Sequence, residues 1–328
     1  MSGLWARWVD LLSTREPGTT LALYRVAMGL CILGTVGTVV VHGLVDVIWL
    51  PAEHGGYRGA MQPGFLFDWL GVTPITVWST VVVSMVSGVL LTLGVGGPAL
   101  GRLVAFVALW STMGLTDING HTGGSYDELL TCGLWLLVLA DSTRTLSVDC
   151  WRRTGGWTDP TPILAFPRYL VVFQLVLAYW STGAQKVSAY WTPAGDFSAL
   201  YYILQQPSWQ RWDMQWLAWV FPATQLATIS TWMFELGSPL LLLAFWFRRT
   251  EDRPGRLRAL FNRARFRDVF AAFGVGLHVG VFILMNVGPF SAVTLALYVC
   301  LFHPDEWQRA LDRLRPPAPA EVPATTLG

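Results

Sequence analysis

Eight apolar runs, each near the length of a membrane-crossing helix, dominate this chain. Crossing a bilayer as helix takes roughly 17–25 mostly apolar residues, because lipid satisfies no backbone polar group. The runs occupy 19–43, 75–97, 101–118, 127–141, 164–189, 222–247, 269–286 and 288–303. The third, fourth and eighth are short. The last two are separated only by Val287, Gly288 and Pro289, so they form either a tight hairpin or one kinked segment. The expected fold is all-α, a polytopic transmembrane helical bundle of about eight spans. Charged residues make up 13% of the chain, about half the share of a soluble globular protein, and the mean hydropathy is +0.46. The first run lacks a small-residue cleavage site behind it and reads as a retained helix, not a signal peptide. The expected domains are an N-terminal segment 1–18, a membrane domain 19–310 and a disordered Pro-rich tail 311–328.

Basic residues set the orientation. With eight spans both termini share a side, and that side collects seventeen arginines. The other side receives Arg58, Lys186 and Arg211. Positive charge stays inside, so both termini are expected in the cytoplasm of a multi-pass cell-membrane protein. The loop "RRTEDRPGRLRALFNRARFR" is then a cytoplasmic topology signal touching anionic lipid. A net charge of +1 gives no reason to expect nucleic acid. The four cysteines show no CxxC spacing, so neither a disulfide framework nor a metal site is expected.

Two longer segments face the opposite side. Residues 44–74 are broken by Pro and Gly. Residues 190–221 carry Tyr201, Tyr202, Trp209, Trp212, Trp216 and Trp219. They read as an amphipathic helix in the membrane interface, or alternatively as a lid over a cavity.

Ionisable groups inside a membrane are costly, so each is a candidate for function. Arg25 lies two turns into the first run and either snorkels to the cytoplasmic face or serves a site. Glu235, in "WMFELGSPLL", falls near mid-bilayer, and Gly237 and Pro239 should kink its helix. It is either protonated or paired with a buried cation. His278, in "GVGLHVGVFILMN", is flanked by Gly274, Gly276 and Gly280, small residues that permit close helix approach. Asn286 lies near the same face. Asn119, His121 and Tyr126 cluster in the short turn "TDINGHTGGSYDEL", which is otherwise a solvated loop. Lys186, in "YWSTGAQKVSAYW", is the one lysine among 22 basic residues. By position it sits at the outer rim of the fifth span, where lysine snorkels. The scarcity of lysine can reflect codon usage, yet a desolvated lysine can act as a base where arginine cannot.

These motifs together resemble the HTTM family, the membrane domain shared by vitamin K-dependent gamma-glutamyl carboxylases and many bacterial proteins. The resemblance covers about residues 15–310. It rests on "LALYRVAMG", "NGHTGGSYDELL", "LSVDCW", "YWSTGAQKVSAYWTPAGDFSALYYIL", "FELGSPLLLL" and "LHVGVFILMNVGPFS…FHPDEW", in that order. The resemblance implies a lysine base, at Lys186, that deprotonates a reduced quinone such as vitamin K hydroquinone. O2 and CO2 would be cosubstrates, and the glutamates of a small secreted precursor peptide would be carboxylated. It further implies that His278 is catalytic. Asn119, His121, Tyr126, Glu235, Asn286 and Trp191 are the candidate binding residues. One departure is visible: the carboxylases carry Asn-His just before Ser-Tyr, whereas Gly123-Gly124 precede Ser125-Tyr126 here. Bacterial members also resemble a maturation factor for a peptide toxin, so the alternative is a non-catalytic membrane factor for maturation, export or immunity of a secreted peptide.

Overall fold

A computed structural model describes residues 2–57 and 64–314. Arg58 and the tail beyond residue 314 lie outside the described residues. After α1 (Ser2–Ser13) comes α2 (Thr19–Val41), followed by the short α3 (Val45–Trp49) and α4 (Phe65–Leu70). Next are α5 (Pro74–Leu93), α6 (Gly97–Ile118), α7 (Ser125–Leu139), α8 (Val148–Thr154) and α9 (Phe166–Gln185). The remainder is α10 (Ala199–Leu204), α11 (Phe221–Leu236), α12 (Leu240–Arg249), α13 (Arg256–Arg263), α14 (Phe266–Leu284), α15 (Phe290–Tyr298) and α16 (Pro304–Leu314). The fold is an all-α helical bundle. Its described strands are β1 (Arg15–Glu16) and β2 (Ile163–Leu164), paired antiparallel.

Every expected apolar run contains one of these helices, with ends moved by a few residues. Four, α2, α5, α6 and α14, are by themselves long and apolar enough to cross a membrane, and α11 with α12 makes a fifth if that bent pair is one span. The others include α7 and α15, of 15 and 9 residues. α16 carries helix to Leu314, slightly past the expected limit of the membrane domain.

α2 lies at the centre, with Tyr24, Met28 and Ile32 fully buried, and packs against α5, α7 and α15. The arginines gather at one end, where they tie distant segments together. Arg168, in the first turn of α9, donates Nε to Glu16 Oε1 at 2.6 Å and Nη2 to Glu16 Oε2 at 2.8 Å. Its Nη1 donates to the carbonyl of Cys300 at 3.2 Å. Arg267 forks onto Glu306 of α16 at 2.6 and 2.8 Å. Arg25 is wholly buried and donates to the carbonyls of Ser142 and Leu146, at 3.3 and 2.7 Å. Of its two expected fates, it reaches toward the arginine-rich end, but it meets loop carbonyls there instead of water. Lys186 and Arg211 lie at the opposite end, beside the 186–220 segment and residue 285. The charge asymmetry expected from sequence is therefore built into the bundle.

Removing one member of a buried ion pair strands the other charge, which costs about 3–5 kcal/mol. Glu16→Gln should therefore lower the thermal unfolding midpoint in detergent far more than Glu53→Gln, whose carboxylate is exposed. Burial raises the Glu306 carboxyl, but hydrogen bonds from Arg267 and the His303 N–H outweigh it and lower it from 4.5 to about 2. A depressed carboxyl contributes stability above its ordinary value and loses it as pH falls toward the depressed one. Stability against acid should thus decline between pH 4.5 and about 2, and Glu306→Gln should flatten that part of the curve.

Candidate functional site

The geometry begins where α9 crosses α11. Gly183 makes the crossing possible: a Cβ there would sit 2.9 Å from Glu235 Cβ and 3.0 Å from Leu236 N. The Trp232 indole donates to the Gly183 carbonyl at 3.1 Å and holds the contact. α11 then breaks. Gly237, Ser238 and Pro239 separate it from α12, and the two halves bend by 54°. Ser238 Oγ donates to the Val176 carbonyl at 3.1 Å, anchoring the break to α9. Glu235 occupies the last turn before it.

Lys186 caps the C-terminal end of α9 and places Nζ on Glu235 Oε2. The side chains are 19% and 10% exposed. Nζ also lies 4.9 Å from the centre of the Trp191 ring, which is itself buried. Glu235 lies about 21 Å along α11 from Phe221 at 1.5 Å per residue, and Lys186, just past the end of α9, meets it there. Of the two states expected for Glu235, the structure contains the cation-paired one.

The pair lines a cavity of about 830 Å³, bounded by α7, α9, α10, α11, α14 and α15 and mostly apolar. His278 lines it too, 2% exposed. Its Nε2 lies 2.6 Å from Tyr179 Oη, which lies 2.7 Å from Tyr298 Oη. Gly274 is one helical turn before His278, on the same face, and its missing side chain leaves the space that the Tyr298 hydroxyl fills. The expectation of close helix approach holds at Gly274 and fails at Gly276 and Gly280. Among the described residues nothing beyond their own helix lies within 4 Å of where a Cβ would stand on either, and both line the cavity.

The cavity exists because α11 and α14 are held apart. Phe234 stacks on Phe270 at 4.3 Å between ring centres and joins them near the helix break. At the far end the 209–212 strap joins them. Trp212 Nε1 donates to the Ile283 carbonyl at 2.6 Å, and the Asn286 N–H donates to the Trp209 carbonyl at 2.8 Å. The two ties are about 20 Å apart along α14, thirteen residues at 1.5 Å. The expected single amphipathic helix over 190–221 is not formed. Pro193, Gly195 and Pro207 divide the segment into short turns around α10. Leu200 and Leu204 face the cavity, while Trp216 and Trp219 are 48% and 89% exposed. The segment covers the cavity and exposes an aromatic surface.

The other expected site residues are not in the cavity wall. Asn119 is buried and donates from Nδ2 to the Ile48 carbonyl at 2.8 Å, fixing the connection after α2. His121 is exposed. Tyr126 packs beside Gly288, although its neighbours Ser125 and Glu128 do line the cavity. Asn286 is exposed and holds the strap through its backbone. Sequence reasoning passed over Tyr179 and Tyr298. Tyr179 precedes Lys186 by seven residues, about two helical turns, and both line the cavity.

A family model for the HTTM domain matches residues 14–207, more than half of the chain. The chain belongs to the HTTM family. No curated protein and no solved structure matches it. The HTTM match contains Tyr179, Lys186 and Trp191, whereas Glu235, His278 and Tyr298 lie beyond it. The cavity of this HTTM protein is thus assembled across the end of the matched region.

Overpacking a tight crossing typically costs about 1–3 kcal/mol. Gly183→Val should destabilise by that amount and separate Lys186 from Glu235. Ala184→Val, on the exposed side of α9, should shift stability by less than about 0.5 kcal/mol. Denaturation of the two variants in detergent checks this.

Proposed function

We propose that this protein is a cell-membrane enzyme of the carboxylase-like type, with Lys186 as general base toward a lipid quinol. The observation that carries the reading is the position of the one lysine. It lies in the wall of a largely apolar cavity, beside Glu235 and over Trp191.

In a low-dielectric wall, a lysine–glutamate pair shares one mobile proton between two sites. With that proton on the carboxylate, Nζ is a neutral amine able to accept a proton from a bound hydroxyl. Arginine holds its charge too firmly to do this. Trp191 covers one side of Nζ, and partial removal from water strengthens each electrostatic contact there. The lining suits a quinol: apolar walls for the ring, Lys186 and Glu235 at one place, and His278 Nδ1, a buried nitrogen without a partner among the described residues, at another. Lys186, Glu235 and His278 would hold its oxygens. When bound, the quinol would supply with O2 the strong base that removes a glutamate γ-proton before CO2 adds. The acceptor would be a small secreted peptide.

Lys186→Arg should leave folding intact and lower activity on a co-expressed glutamate-bearing precursor by at least about 100-fold, the usual weight of a general base. Mass spectrometry for the CO2 adduct reads it. An arginine variant that still carboxylates ends the reading. The exposed Trp216 and Trp219 favour a second reading, a non-catalytic factor that docks a secreted peptide on this aromatic face. In that case Lys186→Arg is silent, and Trp216→Ala with Trp219→Ala abolishes function.

A further inference from the structure

The three-group chain Tyr298–Tyr179–His278 carries an assignable set of protons. A tyrosine hydroxyl has one proton to donate and can accept in return, and a neutral imidazole has one N–H and one acceptor nitrogen. No anion among the described residues pairs with His278, and burying a lone charge is prohibitive, so the ring is neutral. Tyr298 Oη has one hydrogen-bond partner among the described residues, Tyr179 Oη. Buried polar groups are satisfied wherever they can be, and the arrangement that leaves the fewest unmet has Tyr298 donate to Tyr179. Tyr179 must then place its own proton on its remaining partner, His278 Nε2. Nε2 is thereby the acceptor, and the ring proton resides on Nδ1. The opposite direction would leave the Tyr298 proton with no acceptor and Nδ1 with no donor, two unmet buried groups in place of one.

The consequence falls on the cavity. His278 is 2% exposed and lines it, and its Nδ1 is buried with no hydrogen-bond partner among the described residues. An unmade bond from a buried donor costs about 1–3 kcal/mol. Gly276 and Gly280 also line the cavity and leave it open on their side of α14. We infer that His278 Nδ1–H is a ligand-binding donor. It recognises an acceptor oxygen, a carbonyl or oxyanion, on an otherwise apolar molecule, and Tyr179 is the positioning residue that sets the tautomer. This inference rests on the reading that the cavity holds an apolar, oxygen-bearing ligand. It adds which end of such a molecule faces His278: an oxygen that accepts, in contrast to the hydroxyl that would face Lys186.

Two measurements on the full-length protein in nanodiscs test it. The first is 15N NMR of the histidine-labelled protein, in which the two ring nitrogens report the tautomer and the His278 signal is identified by its loss in His278→Phe. The wild type should show the proton on Nδ1. Tyr179→Phe, which removes only a hydroxyl, should shift it wholly or partly to Nε2. The second compares menadione with 2-methylnaphthalene, the same ring system without the oxygens. Wild type should bind menadione about 10-fold more tightly, one hydrogen bond's worth, and Tyr179→Phe and His278→Phe should erase the difference. A wild-type proton on Nε2, or equal affinity for the two ring systems, overturns the proposal. Lys186→Arg separates it from the base reading: if that variant stays active while the menadione preference persists, the base fails and the His278 donor stands.

Discussion

A hydrocarbon environment gives charges no water, and the structure of this protein follows from how each buried charge is answered. Arg168 is matched by Glu16 across more than 150 residues of sequence, through two parallel hydrogen bonds. Arg267 is matched by Glu306 in the same forked manner. Arg25 is answered by loop carbonyls. These links close the arginine-rich end by joining the N-terminal segment, the start of α9, the start of α14 and α16. They are made with guanidinium, whose planar fork suits carboxylates and whose proton is not lost. The pair in the cavity wall uses the other cation.

Lys186 and Glu235 meet because two helices stop. α9 ends just after Gly183, and α11 breaks at Gly237–Pro239. A continuous α11 would have lacked the anchor of Ser238 on Val176. The glycine crossing sets the approach, and the break sets the depth. The same break leaves α11 and α14 joined at Phe234–Phe270 and again at the 209–212 strap, with an unfilled interval between. Small residues that elsewhere draw helices together line empty space there.

The bundle class, the positions of the apolar runs, the two charged ends and the family were all legible in the sequence. Each depends on composition within one segment, and a helix in lipid satisfies its backbone without help from neighbours. The kink after Glu235 was legible for the same reason, since Gly and Pro act locally. The site was legible only in part. Lys186, Glu235 and His278 stood out because ionisable residues are rare in such a setting. Tyr179 and Tyr298 did not, because tyrosine is common in membrane helices and nothing local marks one that is hydrogen-bonded at both ends. Asn119, His121, Tyr126 and Asn286 belong to motifs near the cavity, but their side chains or backbones serve turns and the strap.

The sequence by itself therefore determined an all-helical membrane protein of the HTTM family and singled out one lysine. The tertiary structure decided what that lysine faces. Its partner lies 49 residues away, on a helix whose depth relative to α9 depends on a glycine crossing and a broken turn. Pairing across helices is a property of their relative registers. Those registers come from side-chain packing between segments far apart in the chain, which no local pattern records.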